Sequence, residues 1–112
     1  MATVTLAKQF TKQIDVDGSL KNRAWDFLRK VMSDPTAPGL HIEPIVGSRD
    51  SRVRTGRIND GYRAVMFLVD EDPEPAYVLA AIAAHDDANA LAERLVLRTN
   101  PVNGVVELLN EP

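Results

Sequence analysis

The sequence predicts an α+β fold: two helices first, then an antiparallel meander of three strands, then a closing helix and a short last strand. Three observations carry this reading. Leu20, Ala24, Phe27, Leu28 and Val31 recur at the 3.6-residue period of an amphipathic helix. Asp60-Gly61 stands between two alternating runs, a strong hairpin signal. Tyr77–Ala84 is apolar on both faces, as a central strand covered on both sides should be. With 112 residues, 45% of them hydrophobic and 26% charged, the composition is that of an ordinary globular chain, and one domain over 1–112 is expected.

Taken in order, Thr3–Leu6 alternates and suits an edge strand, and Ala7–Ile14 reads as a short helix closed by a turn over Asp15–Gly18. Ser19–Met32 is the clearest helix, with Asp17 or Ser19 as N-cap and Asp34-Pro35 and Pro38-Gly39 as its stop. Leu40–Val46 is an extended connector interrupted by Pro44. The hairpin strands are Arg52–Ile58 and Tyr62–Val69. The acidic, proline-stiffened turn Asp70–Pro75 then leads to Tyr77–Ala84. Asp86 and Asp87 suit the N-cap and first turn of a closing helix whose stripe is Ala88, Leu91, Leu95 and Val96. Asn100-Pro101 ends that helix, Asn103-Gly104 turns, and Val105–Leu109 returns as the last strand.

Composition excludes several chemistries. Without cysteine there is no disulfide, thiolate metal site or cysteine nucleophile. The longest apolar run, Val78–Ala84, is too short to cross a bilayer, so no membrane partner and a cytoplasmic location are expected. The glycines lie in turns and form no phosphate loop, and no cofactor is implied. His85-Asp86-Asp87 are adjacent and cannot all face one ion, so no metal site is expected. A net charge of −3 gives no overall attraction to nucleic acid; such contact needs a local patch.

One such patch exists. Between positions 49 and 63 there are five arginines (Arg49, Arg52, Arg54, Arg57, Arg63) against Asp50 and Asp60. If Asp60-Gly61 is a two-residue loop, Ile58 opposes Arg63 and Arg54 opposes Phe67. Arg52, Arg54 and Arg63 then share one sheet face, and Arg57 points the other way unless a bulge at Gly56 brings it onto this face in place of Arg52 and Arg54. Planar guanidinium groups collected on a face suit phosphate, although a solvated, solubilising face accounts for them about as well. His85, at the junction of a central strand and a helix, is the second candidate, against the plainer reading of a histidine packed at a strand end. His41 reads as a surface residue, and Trp25 as core or rim. In a meander, the start of one strand adjoins the end of the next, which brings Arg63 and His85 to one sheet edge.

The helical hairpin, Arg57-x4-Tyr62-Arg63-Ala64-Val65, the acidic turn, the apolar strand and His85-Asp86-Asp87-Ala88 together resemble the RelE/ParE toxin superfamily. Gly39-Leu40-His41-Ile42-Glu43 and Asp50-Ser51-Arg52-Val53-Arg54-Thr55 resemble, more narrowly, a toxin-like domain at the N-terminus of some bacterial UvrD/Rep-type superfamily I helicases. There a segment like Thr99-Asn100-Pro101 to Glu107 joins the domain to the motor. The resemblance spans nearly the whole chain and implies a helical hairpin packed on a twisted antiparallel sheet. It implies that Arg63 matches the arginine that steadies a scissile phosphate, that His85 matches a proton-handling histidine, and that Glu43 matches an accompanying glutamate. Two features depart from the ribonuclease toxins: Asn89 stands where a tyrosine often follows the histidine, and the chain is acidic where those toxins are basic. The expectation is therefore a non-toxic accessory domain of a helicase. It would bind nucleic acid (DNA or RNA) or a protein through Arg52, Arg54, Arg57 and Arg63, with Arg63 and His85 catalytic only if toxin chemistry is retained. The alternative is a free-standing toxin, a ribosome-dependent mRNA endonuclease or gyrase-targeting protein, paired with an antitoxin-like partner.

Overall fold

The computed structural model describes residues 1–16, 18–99 and 106–110. It places β1 at Thr3–Leu6, α1 at Lys8–Val16, α2 at Gly18–Ser33, a 3-10 turn at Pro38–Leu40, and β2 at Glu43–Pro44. β3 (Val53–Arg57), β4 (Tyr62–Asp70) and β5 (Ala76–Ala84) form the meander, followed by α3 (His85–Arg94), β6 (Leu95–Thr99) and β7 (Val106–Asn110). The main sheet runs β1-β5-β4-β3-β2, and β6 and β7 pair separately. The α+β class and the meander are as expected. One feature is not: β1 pairs with β5 in parallel, Thr3 beside Ala76 through Leu6 beside Leu79, so the sheet is mixed.

The stripe of α2 faces the sheet as its period requires: Leu20, Ala24, Phe27, Leu28 and Val31 are all buried. They pack with Phe10 and Ile14 of α1 on Ala64, Met66, Leu79 and Ile82. Phe27 lies directly on the β3 backbone. A Cβ added to Gly56 would stand 2.6 Å from Phe27 Cζ, so glycine is required there by close approach. The β3–β4 ladder is continuous through Gly56, and the bulge considered at that position does not occur. Bulges do occur between β4 and β5: Val65 pairs with Ala81 and Met66 with Leu79, leaving Ala80 extra. That resets the alternation, so Leu79 and Ile82 both meet the helices while Ala80 and Ala83 face α3. Beyond β1, Gln13 covers the outer edge of β5. Its Nε2 donates to Ile82 O at 2.6 Å and its Oε1 accepts from Ile82 N at 2.7 Å, completing the pairing of an otherwise open edge.

On the opposite face, α3 and β6 cover Val53, Val65, Phe67 and Ala80 with Ala88, Ala92, Leu95 and Leu97. Here the expected closing helix is too long. It stops at Arg94, and Leu95 is already extended at φ −72°, ψ 136°. Leu95, Val96 and Leu97 are buried in succession, which no single helical stripe permits, and the segment pairs antiparallel with β7. Ala84 is the N-cap residue of α3 and has no capping side chain. Asp86 and Asp87 occupy the first turn, and neither is the cap. The proposed cap Asp17, the stop Asn100-Pro101 and the turn Asn103-Gly104 lie outside the described residues; Ser19 falls inside the first turn of α2. Trp25 is a rim residue, 41% exposed. Among the described residues, no helix is long and apolar enough to cross a membrane.

Candidate functional site

Residues directly opposed on neighbouring antiparallel strands share a face. Glu43 of β2 opposes Thr55 of β3, Thr55 opposes Val65, and Arg57 opposes Arg63. Glu43, Thr55 and Arg63 thus lie in a diagonal row across three strands, on the face that α3 covers. Arg63 in turn opposes Ala83, two residues before the chain enters α3 at His85. From there His85, Asn89 and Glu93 follow at intervals of four and line one side of the helix. These residues, with Pro44, Ile45 and Val46 as the opposite wall, enclose an open groove of about 480 Å³.

Within it, Arg63 is half-buried and its guanidinium has no hydrogen-bond partner among the described residues. His85 is anchored by its backbone, whose N–H donates to Gly61 O at 2.9 Å. Its ring is 56% exposed, with Nδ1 3.3 Å from Asp86 Oδ1. Thr55 is 2% exposed. Its hydroxyl meets no protein group among the described residues and is not sealed from solvent, so it opens into the groove. The charged side chains of the lining are Arg63, Glu43 and Glu93, so the groove has no cationic surplus.

The shared face expected for Arg52, Arg54 and Arg63 does not form. The hairpin turn holds one more residue than a two-residue loop allows. Asn59 Oδ1 accepts from the amides of Gly61 and Tyr62 at 2.8 Å each, and Ile58 N donates to Tyr62 O. The register shifts by one residue and every parity flips. Arg54 opposes Met66, on the face that α1 and α2 cover, away from Arg63. Its Nη1 donates to the carbonyls of Ser51 and Val53, beside the acidic Asp70, Glu71 and Asp72. Arg57 does oppose Arg63, yet its guanidinium is bonded to Asp60 at the hairpin tip.

Arg52 precedes β3 and is committed to structure. Its Nε and Nη2 grip Asp50 at 2.9 and 2.8 Å, and Nη2 also donates to Leu97 O at 2.7 Å. Asp50, in the sequence no more than a charge against the arginines, is the latch of the groove wall. It is 8% exposed and accepts from Arg52 N at 3.0 Å and Leu97 N at 3.1 Å besides the guanidinium. Burial alone would push its carboxyl up. The Arg52 hydrogen bonds, the two backbone amides and the Arg52 charge outweigh that and hold it below the usual carboxylate range. Arg49 N donates to Glu93 O at 2.9 Å, so the loop that carries Ile45 and Val46 is tied to both α3 and β6.

Thr55, Asp50 and Glu93 were not singled out in the sequence as site residues. Only Glu93 had a legible signal there, through its spacing of four from Asn89 and eight from His85. His41 is an exposed residue closing the 3-10 turn at φ 46°. Among the described residues, no three His, Asp or Glu side chains are grouped to hold a metal.

No protein-family model and no curated protein matches this sequence. Solved structures do match in fold. A YoeB/ParE toxin from Agrobacterium tumefaciens superposes with a TM-score of 0.59 at 16% identity, over 74% of this chain and 98% of that one. A chain of the archaeal RelE-RelB complex from Pyrococcus horikoshii gives 0.58 at 15% identity, over 74% and 93%. A chain of the Escherichia coli DinJ-YafQ complex gives 0.60 at 12% identity, over 77% and 96%. The fold is that of the RelE, YoeB and YafQ toxins.

Proposed function

We propose that this protein is the toxin component of a toxin–antitoxin pair, an endonuclease acting on mRNA in the cytoplasm through the groove of Glu43, Arg63 and His85. The observation that carries this is the convergence of those three side chains, from β2, β4 and the start of α3, in one open groove of a fold shared with RelE, YoeB and YafQ. The three groups divide the work of RNA cleavage. A carboxylate at Glu43 takes the proton from a ribose 2′-hydroxyl as that oxygen bonds to phosphorus. Arg63 balances charge on the phosphate oxygens, and the imidazolium of His85 protonates the departing 5′-oxygen as its bond to phosphorus breaks. General acid–base transfer of this kind contributes roughly 10²- to 10⁴-fold in rate. The natural partner is an antitoxin-like protein, since solved relatives of the fold include RelE with RelB and YafQ with DinJ.

A second reading, a non-toxic accessory domain over 1–112 joined to a UvrD/Rep-type helicase motor and binding nucleic acid, is favoured by the net charge of −3 and by Asn89 in the groove. Expression in bacteria from a tightly controlled promoter separates the two. The toxin reading expects prompt growth arrest that Arg63→Ala relieves at equal soluble protein. Unimpeded growth with soluble wild-type protein sinks it in favour of the accessory domain.

A further inference from the structure

A second groove, of about 540 Å³, lies on the other side of the hairpin, between its tip (Arg57–Tyr62) and α2. Its charge differs from that of the first. Arg23, Asp26 and Lys30 line it from α2, and Arg57 and Asp60 from the hairpin. Asp60 is bonded to Arg57, and Asp26 to Arg29 just outside the groove. Arg23 and Lys30 remain, both exposed and with no ion pair within 4 Å among the described residues, although the Asp26 carboxylate between them on α2 feels both charges and offsets part of the surplus. They stand two helical turns apart, about 10 Å along α2. The tyrosine at the tip, Tyr62, lines the same groove and is 38% exposed, a large apolar surface to leave in water. The groove holding the reactive groups thus lacks a cationic surplus, and the groove with a surplus holds no histidine. They meet at the hairpin tip, where Tyr62 and Arg63 are consecutive and Gly61 O receives the His85 amide.

We infer that the second groove is a binding track for single-stranded RNA flanking the reacting nucleotide, with Arg23 and Lys30 on its phosphates and Tyr62 stacked on a base. Stacking is the reason to favour a nucleic-acid strand over an acidic peptide, because an exposed ring beside paired cations is the recurring pattern of single-strand recognition. The inference rests on RNA as the ligand of the first groove but concerns different residues. It supplies what Arg63 alone cannot, namely affinity for a polyanion in a protein of net negative charge.

Fluorescence anisotropy with a labelled mixed-sequence RNA 12-mer, across a salt series, tests it. Arg23→Gln with Lys30→Gln should weaken binding roughly tenfold and lower the log–log salt slope by about 1.4, at about 0.7 for each single-strand phosphate contact. Tyr62→Leu should weaken it at least about fivefold. A labelled trinucleotide, too short to leave the first groove, should be indifferent to all three changes and still lose binding on Arg63→Ala. Unchanged midpoints in urea separate these effects from misfolding. If the 12-mer binds the double variant as it binds wild type while Arg63→Ala still abolishes binding, the track is wrong and the first groove stands. Failure of wild type to bind the 12-mer at low salt overturns the track, and the first groove then stands or falls by its action on ribosome-bound mRNA. Poly-glutamate captured through Arg23 and Lys30 when RNA is not would make the groove a peptide site and overturn the inference.

Discussion

Replacing Asp50 by asparagine keeps the shape of the latch and spoils its chemistry. The carboxylate accepts four hydrogen bonds: Arg52 N and Nε on Oδ1, Arg52 Nη2 and Leu97 N on Oδ2. An amide offers one oxygen, so whichever way it turns, its NH2 confronts two donors. One of these is always a backbone amide, and an orphaned buried N–H costs about 1–3 kcal/mol. The lost charge-assisted bond to Arg52 adds less than a fully buried pair would, because that side chain is 43% exposed and regains water. The sum is about 2–4 kcal/mol, or a fall of about 1–2 M in the urea midpoint for a slope near 2 kcal/mol per molar. The pH dependence follows from the depressed carboxyl of the folded state. The latch contributes fully above the unfolded aspartate value, near 3.9, and its contribution is lost as pH falls through the lower folded value. Urea titrations of wild type and Asp50→Asn at pH 7 and at successively lower pH should therefore differ most at neutral pH and converge in acid. Equal midpoints at pH 7, or a gap that widens on acidification, would refute the latch.

Phe27→Ala should cost about 3–5 kcal/mol, since the ring is buried between α2 and the Gly56 backbone, and an unchanged urea midpoint would contradict that packing. Gly56→Ala in the wild-type background should destabilise by about 1–3 kcal/mol, and Phe27→Leu should recover part of the loss if the clash is with the ring. Thr55→Val should leave the midpoint unchanged or raised and weaken trinucleotide binding roughly three- to tenfold, with Thr55→Ser restoring it; equal binding by the valine variant would remove Thr55 from the site. Arg54→Gln should leave trinucleotide binding intact, because Arg54 lies on the other sheet face beside an acidic turn, and a loss matching that of Arg63→Ala would revive the shared arginine face.

What the sequence disclosed and what it withheld divide along physical lines. The stripe of α2, the position of the hairpin and the doubly covered β5 were legible because each is a local period or a local turn. The convergence of Arg63 and His85 was legible from meander connectivity alone. The arginine face was not, because it hung on one residue of turn length, and the Asn59 side chain decides that length by accepting two amides. The end of α3 misled for a related reason. Leu91 and Leu95 keep a helical period, but the amide of Leu97 is claimed by Asp50, 47 positions upstream, and Leu95–Thr99 pairs with β7. Thr55 and the parallel pairing of β1 likewise depend on contacts distant in sequence, for which no local pattern exists.

The groove of Glu43, Arg63 and His85 is proposed to cleave RNA. The most direct measurement is to add purified protein to ribosomes programmed with a defined mRNA and map the new 5′ ends by primer extension. Wild type should yield discrete cuts within the ribosome-bound codon. Arg63→Ala and His85→Ala, matched to wild type in urea midpoint, should abolish or greatly slow them. Intact mRNA with the wild-type protein, or cuts that persist undiminished in both variants, would contradict the assignment.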